Sequence, residues 1–144
     1  MNDKARKSYI LQYKAKRRLH QRAYKSQQYD QGEVCGIVLS DKLRSLELVF
    51  LPNRSQGSWH FEIALDDIRI TRRDAQSQGK RFIGIFHSHI AGEAILSKSD
   101  LERGRVSHLQ LIYDICGRQL RMWRIKKKEG RRFAVEVPIE IEYT

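Results

Sequence analysis

Residues 82–101 read Phe-Ile-Gly-Ile-Phe-His-Ser-His-Ile-Ala-Gly-Glu-Ala-Ile-Leu-Ser-Lys-Ser-Asp-Leu. The apolar start predicts a strand that ends in His87-Ser88-His89, and seven residues separate His89 from Ser97, with Asp100 after it. Side chains two positions apart on an extended segment point to the same face, so the two imidazoles can share one metal ion. Asp100, at the start of a following helix, would complete three ligands and leave one position open, as in catalytic zinc sites.

The spacing of these four polar residues is specific. In a chain of this composition, His-x-His-x7-Ser-x2-Asp arises by chance with a probability of roughly 7 in 10,000. Asp100 also suits a capping box over residues 99–102, in which Ser99 and Glu102 close the cap, and this is compatible with metal binding. The ligand types favour zinc and leave other transition metals open.

The segment resembles the signature of the JAMM metalloproteases, also called MPN+ or JAB, which has this spacing. Gly32 to Leu39, read as Gly-Glu-Val-Cys-Gly-Ile-Val-Leu, resembles the family's upstream strand with its glutamate, and Pro52-Asn53 is a further similarity. The resemblance extends over about residues 31–126. Ile90 and Leu96 stand where the family usually has proline, from which we expect altered rigidity of the motif loop without loss of the metal.

The resemblance implies a cytidine-deaminase-like fold and a role for each site residue. His87, His89 and Asp100 would bind Zn²⁺, whose bound water has a pKa of about 7. Glu33 would act as general base and then acid, and Ser97 would donate a hydrogen bond to the tetrahedral oxyanion. The implied activity is cleavage after the C-terminal tail of a ubiquitin-like protein or its conjugate, in compact bacterial members within antiphage conjugation systems. A sulfur-carrier or small-peptide peptidase is a second enzymatic interpretation.

The 144 residues predict one α/β domain, with a curved, mixed β-sheet flanked by helices. We expect a basic N-terminal helix within residues 1–28, followed by the metalloprotease domain over residues 29–144. The expected helices cover residues 5–27, 66–78 and 100–107, and the expected strands cover residues 34–39, 45–51, about 59–63, 81–86, 109–115, 118–126 and 132–139.

The cysteine and hydropathy patterns of the sequence predict the cellular compartment of the protein. Cys35 and Cys116 lie in apolar runs and are predicted to be buried, reduced core residues, and neither has a histidine in a recognised catalytic relation to it. No apolar run approaches the roughly 18 residues of a membrane span, and the charged N-terminus lacks the apolar core of a signal peptide. These patterns predict a cytoplasmic protein with no membrane partner.

The formal net charge of +11 is unevenly distributed. Residues 1–25 hold nine Lys or Arg against one Asp, and residues 118–132 hold eight against one Glu. Such segments attract acidic surfaces with a strength that falls as salt rises. We expect an acidic protein surface as the partner, or simply a solvated basic face. Nucleic acid is a rival, in which the chain is a basic binding module with a structural metal, but no recognised nucleic-acid-binding motif accompanies the charge.

Overall fold

The computed structural model describes residues 8–29, 31–55, 61–90 and 92–143. The strands within these residues are β1 (Tyr9–Gln12), β2 (Cys35–Ser40), β3 (Leu46–Leu51), β4 (Arg81–His89), β5 (Leu109–Asp114), β6 (Gln119–Lys128), β7 (Arg131–Val137) and β8 (Ile139–Glu142). The helices are α1 (Tyr13–Gln28), α2 (Leu65–Ser77) and α3 (Lys98–Arg103).

Six strands form one mixed sheet in the order β3-β2-β4-β5-β6-β7. Its neighbouring strands are antiparallel except β4 and β5, which run parallel and are joined through α3. Strand β4 therefore lies inside the sheet, with hydrogen-bonded neighbours on both sides. The predicted α/β domain with a mixed sheet is confirmed, and the end of β4 is held from two directions.

The two faces of this sheet carry different layers. Val38 and Phe86 pack with Leu19 and Ala23 of α1 on one face, whereas Ile37 packs near α2 on the other. Because successive side chains of a strand alternate between faces, residues 87 and 89 lie on the opposite face from residues 86 and 88. The two motif histidines therefore face away from α1.

The N-terminal region differs from the predicted helix over residues 5–27. Residues 5–7 lie outside the described residues, and residues 9–12 form β1, which pairs parallel with β8 in a second, two-stranded sheet. Tyr9 pairs with Ile139, and Leu11 is fully buried. Helix propensity is overridden here because alternate apolar residues of β1 gain burial and ladder hydrogen bonds. Strand β8 lies largely beyond the strand expected over residues 132–139.

Two further expectations are wrong in detail. Helix α3 ends at Arg103 instead of Ser107, since the backbone becomes extended at Gly104 and Ser107 adopts a φ of 76°. Phe61–Ile63 forms no strand. The N–H of Glu62 donates to the Asn53 side chain, and the carbonyl of Glu62 accepts from the N–H of Arg54. Residues 59 and 60 of that expected strand lie outside the described residues. None of the described helices has the length and hydropathy needed to span a membrane.

Candidate metal centre

Strand β4 carries both motif histidines on the sheet face packed by α2. His87 is fully buried, and the side chain of His89 is 13% exposed. Their ring centroids lie 5.1 Å apart. The strand continues through His89, beyond the predicted end at Phe86, and this extended backbone places the two imidazoles side by side.

The first turn of α3 brings Asp100 to the histidines. Its Oδ2 lies 3.6 Å from Nε2 of His87 and 3.5 Å from Nε2 of His89. The carboxylate side chain is 11% exposed, so all three groups are largely screened from water. The structure thus brings together the residues that the sequence spacing predicted as ligands.

The cap of α3 differs from the predicted one. Ser97 is the N-cap residue, and its Oγ accepts from the N–H of Asp100, while the N–H of Ser97 donates to Oδ2 of Asp100, each at 3.0 Å. The capping box therefore consists of Ser97 and Asp100, instead of Ser99 and Glu102, because α3 begins at Lys98. One carboxylate consequently closes the cap and faces the histidines. The Ser97 hydroxyl retains its proton for a further acceptor.

The residues fit a metal ion. Ligand atoms around a tetrahedral zinc, at bond lengths of about 2.0–2.1 Å, lie roughly 3.3–3.4 Å apart. The distances of 3.6 Å and 3.5 Å from Oδ2 of Asp100 to the Nε2 atoms of the two imidazoles are close to this ligand–ligand distance. Two imidazoles and one carboxylate are also a common zinc donor set. Ligand atoms of Glu33, His87 and His89 form a second compatible group, all within 4.8 Å of one another.

Glu33 lies immediately before β2 and adjoins the histidines. It is 8% exposed, and its Oε1 lies 3.2 Å from Nδ1 of His87. A proton on that nitrogen donates to the carboxylate and leaves Nε2 of His87 available as a ligand. The second carboxylate oxygen of Glu33 can then accept a proton from a neighbouring group. Glu33 therefore lies in direct contact with one of the two motif histidines.

Three side chains from separate elements hold the backbone of residues 32–34. Ser26 of α1 donates to the carbonyl of Gly32 at 2.7 Å. Asn53 donates to the carbonyl of Glu33 at 2.9 Å. Ser88 accepts from the N–H of Val34 at 3.0 Å, and its own N–H donates to the Val34 carbonyl. Ser88 lies on the opposite face from the histidines, as predicted, and acts on the site through this backbone contact.

Gln110 is a site residue that the sequence analysis missed. It lies in β5, is 3% exposed, and its Oε1 lies 3.1 Å from Nε2 of His87. Its Nε2 donates to the carbonyl of Asp100 at 3.4 Å. The available signal was a glutamine within the otherwise apolar start of Leu-Gln-Leu-Ile-Tyr-Asp. A buried amide at that position requires polar neighbours, and His87 and the carbonyl of Asp100 are within its reach.

The surroundings of Asp100 favour the ionised form of its carboxylate. Burial opposes the effect, but hydrogen bonds from His89 and Ser97, and the charge of His87, lower the pKa of Asp100 to about 2. Burial alone would lower the pKa of His89. The contact with Asp100 and the hydrogen bond with the Glu93 carbonyl outweigh burial and raise the pKa of His89 above its ordinary value. Protons and a metal ion therefore compete for the same nitrogen.

A cavity of about 450 Å³ opens beside these groups. Its polar wall contains Glu33, His89, Ser97 and Asp100, with Gln110 behind them. Its apolar wall includes Phe61, Ile63, Ile68, Ile85 and Ile90. Phe61 stacks on the imidazole of His87, with ring centroids 4.2 Å apart. The cavity is therefore amphipathic, and it suits an extended peptide whose backbone meets the polar wall.

The cysteines differ from each other. Cys35 is buried as predicted, and burial together with the nearby Glu33 raises the pKa of its thiol to about 12. Cys116 is exposed in the turn after β5, contrary to prediction, because β5 ends at Asp114. Both thiols are free. The Cys35 thiol stays protonated at neutral pH and is a poor nucleophile.

Similarity to known proteins agrees with this geometry. A family model described as prokaryotic homologs of the JAB domain matches residues 15–126. The chain belongs to this family. The match includes all five of the predicted site residues and most of the six-stranded sheet, so the prokaryotic JAB assignment rests on the part of the chain that builds the cavity.

Individual relatives support the same family. A desampylase from Pyrococcus furiosus is 36% identical over 70 residues, which cover 49% of this chain and 50% of the relative. The match thus spans about half of that curated relative. The solution structure of a protein from Desulfitobacterium hafniense superimposes with a TM-score of 0.77 at 22% identity, covering 94% of each chain. A JAB1/MPN domain protein from Archaeoglobus fulgidus gives 0.54 at 18% identity, over 94% of this chain and 98% of that one. These structures establish the JAB fold.

Proposed function

We propose that this JAB-domain protein is a zinc-dependent isopeptidase or peptidase that cleaves after the C-terminal tail of a ubiquitin-like protein or its conjugate. The observation that carries the proposal is the triangle of His87, His89 and Asp100 with the Glu33 carboxylate beside it. The desampylase similarity supports the choice of a ubiquitin-like modifier. The apolar wall of the cavity supports an extended polypeptide as the substrate.

Each residue has a proposed role in hydrolysis of the amide bond. His87, His89 and Asp100 would hold the zinc ion, which when bound would polarise the scissile carbonyl and lower the pKa of an attacking water. Glu33 takes one proton from the water and delivers it to the departing amine, so that amide and water become a carboxylic acid and an amine. The Ser97 hydroxyl donates to the oxygen that gains negative charge.

The cellular setting belongs to the same proposal. A compact chain without long inserts supports a role in trimming conjugates in a bacterial antiphage conjugation system, in the cytoplasm. Genes for activating and conjugating enzymes beside the gene for this protein would support that setting. A neighbourhood of sulfur-transfer genes would instead favour the processing of sulfur carriers.

Zinc content and cleavage should be measured on the same preparations. The wild type, reconstituted with zinc, should hold one ion per chain and cleave a linear fusion or isopeptide conjugate of a ubiquitin-like protein, and a chelator should stop cleavage. Glu33→Gln should retain zinc and lose at least about 100-fold in kcat, whereas Asp100→Ala should lose zinc. Cleavage by Glu33→Gln at the wild-type rate, or wild type without zinc after reconstitution, would contradict the proposal.

A further inference from the structure

Helix α1 carries a strong positive charge with no internal compensation. Its sixteen residues include six Lys or Arg and no Asp or Glu. No ion pair between described residues involves α1. Arg18, Arg22 and Lys25 are exposed and stand at i, i+4 and i+7, which places them on one face of the helix.

Two of these cations are held in place by an aromatic ring. The guanidinium carbon of Arg22 lies 4.2 Å from the ring centroid of Phe50, and that of Arg18 lies 5.1 Å from it. A cation–π contact orients the guanidinium without neutralising its charge. Arg18 and Arg22 are therefore positioned before a ligand arrives, which reduces the entropy lost on binding.

The same face borders a second cavity. It has a volume of about 480 Å³ and lies between α1 and the end of β3. Arg22 and Lys25 line it together with polar side chains such as Gln31 and Asn53. Glu33 is the one carboxylate among its described lining residues, and Glu33 also lines the cavity of the metal centre. The two cavities therefore meet at Glu33, although the motif histidines lie on the sheet face opposite to α1.

The other basic segment is different, because the fold uses several of its cations. Arg121 makes a bidentate pair with Glu136, at 2.8 and 2.9 Å. Arg124 donates to the carbonyl of Ser107, and Arg132 donates to the carbonyls of Leu101 and Gly104. The described cations of α1 lack such partners, so α1 has the stronger case for an external ligand.

We propose that Arg18, Arg22 and Lys25 dock an acidic segment of the same protein substrate whose C-terminal tail enters the metal-centre cavity. This rests on the proposed function. A protein carboxylate suits the position because Arg22 and Lys25 line a cavity that shares Glu33 with the cavity of the metal centre, and Arg18 stands one turn away on the same helix face. Docking there tethers the folded part of the substrate, so it lowers KM for a folded conjugate and leaves the cleavage of short peptides unchanged.

Charge reversal with a matched control tests the docking face. Arg22→Glu/Lys25→Glu reverses two cations of α1, and Lys127→Glu/Lys128→Glu reverses two exposed cations at the β6–β7 turn with the same change in net charge. Zinc content and thermal unfolding check the fold of each. If Arg22→Glu/Lys25→Glu does not fold, Arg22→Gln/Lys25→Gln replaces it.

The binding readout needs no turnover. A fluorescent peptide of about ten glutamates, followed by anisotropy at about 150 mM salt, should bind the zinc-loaded wild type. Binding should weaken at least about tenfold in the α1 variant and less than about twofold in the control. Equal loss in both variants, or no binding to the wild type, would overturn the proposal. Tighter binding of a short DNA duplex than of the peptide, lost in the α1 variant, would also overturn it in favour of nucleic acid.

Kinetics separate this inference from the proposed function. With a folded conjugate, the α1 variant should show a KM raised at least about tenfold at unchanged kcat. A short peptide ending in the modifier's tail should be cleaved equally by all variants. Cleavage of the conjugate with identical KM in both variants would reject the docking face alone. Peptide binding at α1 without cleavage of any conjugate would reject the proposed hydrolase alone.

Discussion

The indole N–H of Trp123, in β6, donates to the carbonyl of Ala94 at 2.8 Å. Ala94 is fully buried and lies midway along the loop that joins the histidines to α3. His89 bonds to the Glu93 carbonyl one residue earlier. The two prolines that the family usually places in this loop are absent here, and these two contacts to the loop backbone restrain it instead.

Replacing Trp123 should therefore loosen the metal centre. Trp123→Phe removes the N–H and leaves a buried carbonyl without its donor, at a cost of about 1–3 kcal/mol. We expect zinc affinity, measured by competition with a chromogenic chelator, to fall about fivefold or more. Arg121→Gln is the control, since it removes the guanidinium 4.7 Å from the indole centroid and keeps the indole. Equal zinc affinity in Trp123→Phe and the wild type would show that the loop needs no such anchor.

Asn53 should position Glu33. Its Oδ1 accepts from the N–H groups of Ser55 and Glu62, and its Nδ2 donates to the Glu33 carbonyl. Asn53→Asp preserves the acceptor and replaces the donor with a repulsive oxygen. We expect kcat to fall about 10- to 100-fold at similar KM, with zinc retained and a shifted pH profile of kcat/KM. A proportionate loss of thermal stability with an unshifted pH profile would instead indicate a purely structural role.

Gly104 should be intolerant of a side chain. A Cβ there would lie 2.8 Å from the carbonyl oxygen of Asp100 and 2.3 Å from Cδ1 of Ile125. Ile125 can adjust, but the helix backbone must move, and α3 would shift with Asp100. We expect Gly104→Ala to destabilise the fold by about 1–3 kcal/mol and to weaken zinc binding, as measured by calorimetry. Ser99→Ala, at an exposed position of α3, should leave both unchanged.

In the metal-free protein, the contact between Asp100 and His89 should stabilise the fold only within a limited pH range. The pKa of Asp100 is about 2, below its ordinary value of 3.8, so its stabilising contribution is present above pH 4 and is lost as pH falls towards 2. The pKa of His89 is raised above 6.5, so its contribution is present below that pH and is lost as pH rises through the raised value.

Urea unfolding in the presence of a chelator tests this window. The wild type should exceed Asp100→Asn most clearly between about pH 4 and pH 6.5, by on the order of 1 kcal/mol. The difference should shrink as pH falls towards 2, and again as pH rises through the raised pKa of His89. A difference that stays constant across this range would show that the carboxylate and imidazole are not coupled in the metal-free protein.

Much of the fold is readable from local pattern. Apolar, β-branched runs predict β2, β3 and β4, and charged residues ahead of a glycine predict α2. Strand β1 escapes this reasoning because its partner β8 lies about 130 residues away, and only that pairing makes an extended conformation favourable. Element ends also escape it, as at Gly104, where side-chain contacts from β5 and β6 decide the boundary.

The residues of the candidate site also divide into those that a local sequence pattern predicts and those that it does not. His87, His89 and Asp100 lie within fourteen residues, so their spacing alone predicts a shared ion. Glu33 enters only through the family resemblance, since no local signal links it to the histidines. Gln110 and Trp123 reach the site through sheet pairing and loop packing, which have no sequence signature beyond one polar residue in an apolar strand. Asn53 stands out only as part of the family resemblance, and its contact with Glu33 depends on the fold.

The pairing of β1 with β8 links the support of Glu33 to a segment that is synthesised about 130 residues after β1. Strand β1 leads directly into α1, and α1 reaches Gly32 through Ser26. Residues 139–142 leave the ribosome after every metal ligand has been synthesised, and contacts this distant in sequence form late. A nascent chain can therefore bring His87, His89 and Asp100 together before the segment carrying Glu33 is anchored, and the full arrangement would form only when β8 joins β1.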